Sequence, residues 1–395
     1  MKLAFVIPRF AEGLVGGAET LALEILRHLP KERHQAEVWT TCARDHHSWA
    51  DHFPEGLSTV GGLPVRRFKT NRRNLELFVH LQHRIHHQLA LSLDEELAWL
   101  ENSVNSDGLL GHIAAHAADV DALVFLPYLF GVTLTGSTLA PEKSVLIPCL
   151  HDEPYAYLRI VRNLFEGVGE LVFNSAPERE LARRLYGLGD GAGSVVGMGF
   201  DDTGPRGEGD RFRAQHGLRG PYLLYFGRKE DGKNTNWLAK LFADPACRRR
   251  ADVKLVFAGS GEVEVPSAAA GSVVDLDFLP EQTKRDAIAG ALAVVQPSVN
   301  ESFSIVLMEA WREGRPVLVH GRCAVTRQHA LDSGGGLWFE TAAELGGCID
   351  YLIENPETAA RMGRGGREYV AREYSWAPVL ARFDAALARL PGASS

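Results

Sequence analysis

Short apolar runs alternate with amphipathic, helix-length runs along almost all of this chain, and the alternation starts afresh near its middle. A short apolar run bounded by turn residues and followed by a helical period is the signature of a strand buried under helices, and its repetition implies parallel α/β layers. In the first half KLAFVIP leads through a Gly-rich turn into the helix AETLALEILRHL, and EVWTTC, DALVFLPY, SVLIPCL and ELVFNS read as later strands. Ser175 with Glu178 predicts a capping box for the helix APERELARRLYG. The second half supplies YLLYFG, VKLVFAG, VVDLDFL, LAVVQPS, RPVLVHG and LWFE as strands. Between the halves, DTGPRGEGD (202–210) is polar and rich in Gly and Pro, as an inter-domain linker is. A chain of 395 residues is long enough for two domains with separate cores.

Several classes are disfavoured at once. A net charge of −8 argues against a general nucleic-acid binder. Five scattered cysteines without a C-x-x-C pair read as reduced thiols, and so as a cytoplasmic protein rather than a disulfide framework or zinc site. MKLAFVIPRF opens directly into a strand, with too short an apolar run for a signal peptide, and no 18-residue apolar run follows.

Chemistry concentrates in NESFSIVLMEAWREGRPV (300–317), where seven residues separate Glu301 from Glu309. The preceding AVVQPS predicts a buried strand and FSIVLMEAW a helix, so Glu301 falls on the connecting loop and Glu309 about two turns along the helix. The backbone N–H groups near Phe303, Ser304, Ile305 and Val306 then have no partner inside the helix, which suits an anion such as phosphate. The spacing alone is equally that of an ordinary buried helix with a capping acid and a surface Glu.

E-S-F-S-I-V-L-M-E-A resembles the E-x7-E signature of retaining glycosyltransferases of family 4 (glycosyl transferases group 1), with Gly more usual where Ser304 stands. The resemblance recurs in order along nearly the whole chain. It implies the GT-B fold: two Rossmann-like α/β domains facing across a cleft, with a terminal helix crossing back to the first. On that reading residues 1–200 bind the acceptor and are joined by about 376–395, including the amphipathic YSWAPVLARFDAALARL. Residues 201–375 would bind the nucleotide-sugar donor.

Ligands of open parallel sheets sit outside the carboxyl ends of the strands. Gly16 and Gly17 follow the first strand and leave room for phosphate or sugar, or are simply a turn and helix start; G-G-A-E resembles the family's loop here, whereas G-L-V-G-G is not a dinucleotide fingerprint. His151 ends SVLIPCLH, a position that is structural in many proteins; in the family a matching histidine lies beside the donor sugar. YFGRKEDGKN supplies Arg228 and Lys233, either a solvated charged loop or, as the resemblance implies, the pair that grips the donor diphosphate. The resemblance also sets Gly259 and Gly261 of FAGSGE near the nucleoside, and Phe278 and Leu279 against the base. Glu309 would accept from the ribose hydroxyls and Glu301 would hold the donor sugar.

Other patterns carry less. Asp119-x-Asp121 and Asp275-x-Asp277 have metal-binding spacing but precede or interrupt strands, and His83 with His87 and His112 with His116 lack a third ligand; the resemblance implies no bound metal or cofactor. RRFKTNRRNLELFVHLQHRIHHQL (66–89) is basic and then amphipathic: a surface helix and loop by the usual behaviour of charge runs, or a peripheral contact with anionic lipid or a lipid-linked acceptor. After GRPV the family often continues with Gly-Gly-x-x-Glu, but here Gly334 to Gly336 come late, which separates this loop from the family's phosphate contacts. The expected activity is transfer of a sugar from a nucleotide diphosphate sugar to a glycan, glycolipid or small-molecule hydroxyl. A related epimerase and a non-catalytic partner protein are the alternatives, with a nicotinamide dehydrogenase third.

Overall fold

The structure is a computed structural model that describes residues 1–14, 16–250 and 252–391. Backbone contacts divide the chain into two units, Met1–Gly199 with the segment from Trp376, and Phe200–Ser375. The first contains β1 (Lys2–Ile7), α1 (Gly17–His28), β2 (Gln35–Thr41), β3 (Gly56–Val60), β4 (Leu63–Phe68), α2 (Leu75–His86), α3 (Leu93–Glu101) and α4 (Asp107–His116). It continues through β5 (Ala122–Phe125), α5 (Gly131–Gly136), β6 (Ser144–Leu146), α6 (Arg159–Gly167), β7 (Glu170–Phe173), α7 (Ala176–Tyr186) and β8 (Ser194–Val195). Its sheet order is β3-β4-β2-β1-β5-β6-β7-β8, parallel except where β3 meets β4.

The second unit holds α8 (Gly209–Gln215), β9 (Tyr222–Phe226), α9 (Thr235–Ala243), β10 (Lys254–Ala258), β11 (Val273–Leu276), α10 (Glu281–Gly290) and β12 (Ala293–Gln296). Then follow α11 (Ile305–Arg312), β13 (Val317–His320), α12 (Ala324–Ser333), β14 (Gly336–Phe339), α13 (Ala342–Glu354) and α14 (Pro356–Glu373). Its order is β11-β10-β9-β12-β13-β14, parallel throughout. Central strands such as LVFA and AVVQ are buried on every residue, because helices cover both faces of such a sheet.

The last helix, α15 (Trp376–Leu387), belongs to the first unit. Trp376 stacks on His28 with centroids 4.1 Å apart, Asp384 takes His34 at 2.8 Å and Arg33 at 2.7 Å, and Arg389 reaches Glu170 at 3.1 Å. Its contacts with α1, β7 and β8 are therefore fixed by charge as well as by its apolar face.

Two expectations need correction. The hairpin β3–β4 was not foreseen; its Gly61–Gly62 turn has φ +56° and +81°, the pattern of a two-residue hairpin loop. As a result 66–89 is not one basic face. Arg66 and Arg67 belong to β4; buried Arg67 donates to Phe10 O at 2.8 Å and lies 4.5 Å over the Phe53 ring. Arg73 donates to Asn102 O and Arg84 pairs with Glu95, so much of the segment's charge is engaged internally. The second concerns the capping box. Ser175 Oγ accepts from Glu178 N, but the Glu178 carboxylate reaches past the cap to Asn174 N (2.5 Å) and Leu150 N (2.6 Å). No helix of the described residues is long and apolar enough to cross a membrane.

Candidate functional site

In the second unit the strand order reverses at β9, whose neighbours are β10 and β12, and a crevice at such a switch point receives the loops leaving β9 and β12. The structure brings Lys233 and Glu301 together there: Lys233 Nζ to Glu301 Oε1 is 2.7 Å. Lys233 ends a short 3-10 turn, and Asn234, at φ +55°, fixes that turn by donating to Pro297 O at 3.1 Å. On the other loop Gln296 Nε2 lies 3.4 Å from both Glu301 Oε1 and Ser304 Oγ, and Ser298 Oγ holds the Gln296 amide at 3.1 Å. Arg228 stays at the rim, half-exposed, with Glu230 at 3.2 Å.

Ser304 is the N-cap of α11 with φ +76°, in the left-handed region that favours glycine. The first N–H groups of α11, which follow directly on the loop that holds Glu301, have no partner within the helix. Phe303 is packed edge-on against His329 and Tyr374, so only its backbone is available to the site. Ile305 and Val306 form the half-buried first turn.

Glu309 is not free. Its Oε1 lies 2.5 Å from Lys284 Nζ on α10, and Lys284 also holds Glu281 at 2.8 Å. Burial pushes the Glu309 carboxyl above the ordinary carboxylate range while Lys284 draws it down. Burial acts to discharge Lys284, but the carboxylates of Glu309 and Glu281 outweigh it and keep the ammonium charged. Each carboxylate of the pair thus has its own lysine. Lys284 was not foreseen, because a lysine in EQTKRDAIAG shows nothing of which helix lies beside it.

The glycines have a clear packing role. A Cβ on Gly259 would stand 1.9 Å from Gly227 O, and one on Gly261 would stand 2.3 Å from Lys229 O. They let the loops leaving β9 and β10 run side by side, with Lys229 N bonded to Ser260 O at 2.7 Å. Buried Lys229, the neighbour of Arg228, is turned inward onto Asp275 at 2.7 Å, which commits that acid of the D-x-D pattern to the fold. Phe278, 76% exposed, and half-buried Leu279 follow β11 at the edge of the same sheet.

In the first unit the strand order reverses between β1 and β5. Gly17 opens α1 with nothing within 4 Å of where a Cβ would stand, whereas a Cβ on Gly16 would meet the Glu19 carboxylate. Val15 lies outside the described residues. Glu19 is held by Arg9 at 2.5 Å, a pair the sequence did not suggest. His151 sits beyond β6, one-third exposed, with Nδ1 3.8 Å from Glu153 Oε1. Glu153 accepts from Tyr128 at 2.8 Å. Cys149 at φ +52° bends the loop, and Glu178 tethers it through Leu150 N. Burial pushes the Glu178 carboxyl up to about 8, against the lowering effect of its backbone donors.

A family model described as glycosyl transferases group 1 matches residues 208–369. These residues belong to that family. The group 1 match takes in β9 through most of α14, and so both lysine–carboxylate pairs. A D-inositol 3-phosphate glycosyltransferase of Saccharomonospora viridis is 30% identical over 272 residues, covering 62% of each chain. The chain therefore matches less than two-thirds of that relative's length. Among solved structures, Anabaena HepE in complex with UDP has a TM-score of 0.71 at 17% identity, over 99% of this chain and 100% of that one. Sucrose-phosphate synthase from Thermosynechococcus elongatus has a TM-score of 0.70 at 16% identity, over 97% and 98%. The fold that carries the group 1 segment is accordingly the two-domain GT-B fold. The Gly usual in the group 1 pattern at Ser304 corresponds to a left-handed backbone here.

Proposed function

We propose that the chain is a retaining glycosyltransferase, moving a sugar from a nucleotide diphosphate sugar to an acceptor hydroxyl without a bound metal. The observation that carries the reading is the convergence of Lys233, Glu301, Arg228 and the first turn of α11 at the β9–β12 switch point. Two cations and a helix N-terminus suit a diphosphate whose charge grows as the glycosidic bond breaks.

In this reading Arg228, Lys233 and the amides of Phe303 to Val306 hold the diphosphate. Glu301, released from Lys233 as the phosphate takes that lysine, accepts from hydroxyls of the donor sugar. Glu309 accepts from the ribose, and the base lies against the backbone at Phe278 and Leu279. Gly16 and Gly17 give the donor or acceptor close access to backbone, Gly17 having the open space for it. The contact of His151 with the donor sugar rests on the resemblance alone. The attacking hydroxyl would approach on the face of the leaving phosphate, which takes its proton, and so retain configuration. The acceptor is a glycan, a glycolipid or a small metabolite.

The test begins with the nucleotide. UDP, present in the HepE complexes, is compared with GDP, ADP and dTDP for thermal stabilisation of the wild type and of Glu309→Ala. Stabilisation by one nucleotide that shrinks in the variant supports the reading; no stabilisation by any of them counts against a donor site here. With the matching labelled nucleotide sugar, label in a larger product supports transfer, whereas label in an isomeric nucleotide sugar supports an epimerase.

A further inference from the structure

The second unit has another polar depression, at the end of its sheet away from the candidate donor site. Arg206, Arg213, Arg315 and Arg367, with Asp210 and Glu313, line a cavity of about 340 Å³. Arg213 donates to Gly220 O (2.7 Å), just before β9, and to Gly290 O, which closes α10 ahead of β12. Arg315 precedes β13. The depression thus lies at the amino ends of β9, β12 and β13, roughly 15 Å of strand away from the loops that carry Lys233 and Glu301.

Its charges do not balance. Both oxygens of Glu313 are engaged, one by Arg312 at 3.0 Å and the other by Gly207 N at 2.9 Å. Arg206 is paired with Asp202 at 2.5 Å, and Arg312 lies 3.3 Å from the same carboxylate. Among the described residues Arg213, Arg315 and Arg367 have no carboxylate within ion-pair distance. Arg213 and Arg367 donate instead to carbonyls at the ends of α10 and α11, Gly290 O and Arg312 O. Two helix C-termini supply about half a negative charge each and Asp210 one more, which leaves about one positive charge over.

Arg315 is the most exceptional of the three. Its side chain makes no hydrogen bond among the described residues, and its buried Nε has no partner. Burial, and then the neighbouring Arg213, make its guanidinium harder to keep charged than an ordinary arginine. Arg213 is itself held 5.0 Å over the Tyr222 ring, so it cannot swing far from Arg315. Guanidinium forks around one cavity, none of the three in an ion pair, form a geometry that a tetrahedral oxyanion completes, taking N–H donors from each fork.

We infer that this pocket is a second anion site, which takes the phosphate or diphosphate group of a small soluble molecule. It is built on the same two helices as the candidate donor site, because α10 carries Lys284 and α11 carries Glu309, and both end here.

The experiment is calorimetric titration of the full chain with inorganic pyrophosphate at fixed ionic strength. In Arg228→Ala/Lys233→Ala, where the candidate donor site is disabled, pyrophosphate binding persists. Adding Arg315→Gln to that background weakens the remaining binding at least tenfold, and Arg315→Lys, which keeps charge but not the fork, falls between. Melting temperatures of the variants confirm that each is folded, and Arg213→Gln serves in place of any Arg315 variant that is not. Absence of binding in the Arg228→Ala/Lys233→Ala background, or binding there that Arg315→Gln and Arg213→Gln leave unchanged, overturns the site.

Discussion

Lys233 Nζ stands 2.7 Å from Glu301 Oε1, so the cation assigned to the donor phosphate and the carboxylate assigned to the donor sugar neutralise one another. The pair is mostly buried and connects the two loops that flank the switch point. Phosphate binding must compete with it, and that competition separates the two residues experimentally. Lys233→Ala is expected to weaken nucleoside diphosphate affinity by about 1.5–3 kcal/mol, the range for hydrogen bonds to charged groups. Glu301→Gln, which releases Lys233, should keep or strengthen nucleotide affinity and depress turnover of the nucleotide sugar at least a hundredfold, since a contact to the sugar acts only when the sugar is present. Titration calorimetry with the nucleotide and steady-state rates with the sugar nucleotide check both. Equal losses in the two measurements for Glu301→Gln would show that it supports the phosphate site instead.

Among the described residues Arg228 pairs only with Glu230, at the rim. A half-exposed guanidinium gains most when charge accumulates next to it. Arg228→Ala is therefore expected to lower turnover more than donor affinity, and a variant with normal turnover would remove Arg228 from the reaction.

The second lysine–carboxylate pair predicts coupling. Glu309→Ala should weaken donor binding by about 1.5–3 kcal/mol, as a lost acceptor for hydroxyl groups. Lys284→Ala should weaken it too, though Lys284 is assigned no donor contact, because it holds the Glu309 carboxylate at 2.5 Å. Groups in one ion pair are non-additive. The double variant is expected to lose at least about 1 kcal/mol less than the two single losses combined, measured as nucleotide affinity. Additive losses would mean that Lys284 and Glu309 act separately.

What could be read from the sequence follows from what sequence encodes locally. The strand runs, the loop position of Glu301 and the helix position of Glu309 depend on periodicity and turn residues, and each lies where that reading put it, except that α11 starts at Ile305 and Glu309 stands about one turn into it rather than two. Lys284 on Glu309, Lys229 on Asp275 and Arg9 on Glu19 join residues that only the tertiary fold makes neighbours, and periodicity holds no record of them. Glu178 shows both sides. Its spacing from Ser175 signals the N-cap correctly, yet its carboxylate holds the backbone next to His151, in a loop 28 residues away in sequence. The β3–β4 hairpin escaped because GLSTV and LPVRRF are short and partly exposed at the edge of the sheet, where an apolar run is not required.

Ser304 offers a test of conformation apart from chemistry. A non-glycine residue at φ +76° carries strain of about 1–2 kcal/mol, which glycine escapes at the expense of greater unfolded-chain freedom. Ser304→Gly is expected to raise stability by about 0.5–1 kcal/mol in denaturant melts and to leave nucleotide affinity unchanged. A destabilised variant would show that the hydroxyl, 3.4 Å from Gln296 Nε2, contributes more than the strain takes away.

His329 sets a pH limit on the second unit. The ring is buried beside Phe303, its Nδ1 lies 2.9 Å from the Tyr369 hydroxyl, and burial pushes its pKa down to about 4 from an ordinary 6.5. The unfolded chain therefore binds a proton at this residue between pH 6.5 and 4 that the folded chain refuses. Stability from a neutral His329 is complete above about 6.5 and is lost as pH falls toward 4, by about 3 kcal/mol at 1.36 kcal/mol per unit. His329→Gln keeps a hydrogen-bonding group for Tyr369 but does not titrate. The fall in its unfolding free energy between pH 6.5 and 4 should be about 3 kcal/mol shallower than that of the wild type. In the wild type, the NMR signals of the His329 ring should remain those of a neutral imidazole down to about pH 5. A ring that titrates near 6.5 would mean that solvent reaches it, and that the packing of Phe303 behind the first turn of α11 is looser than this geometry implies.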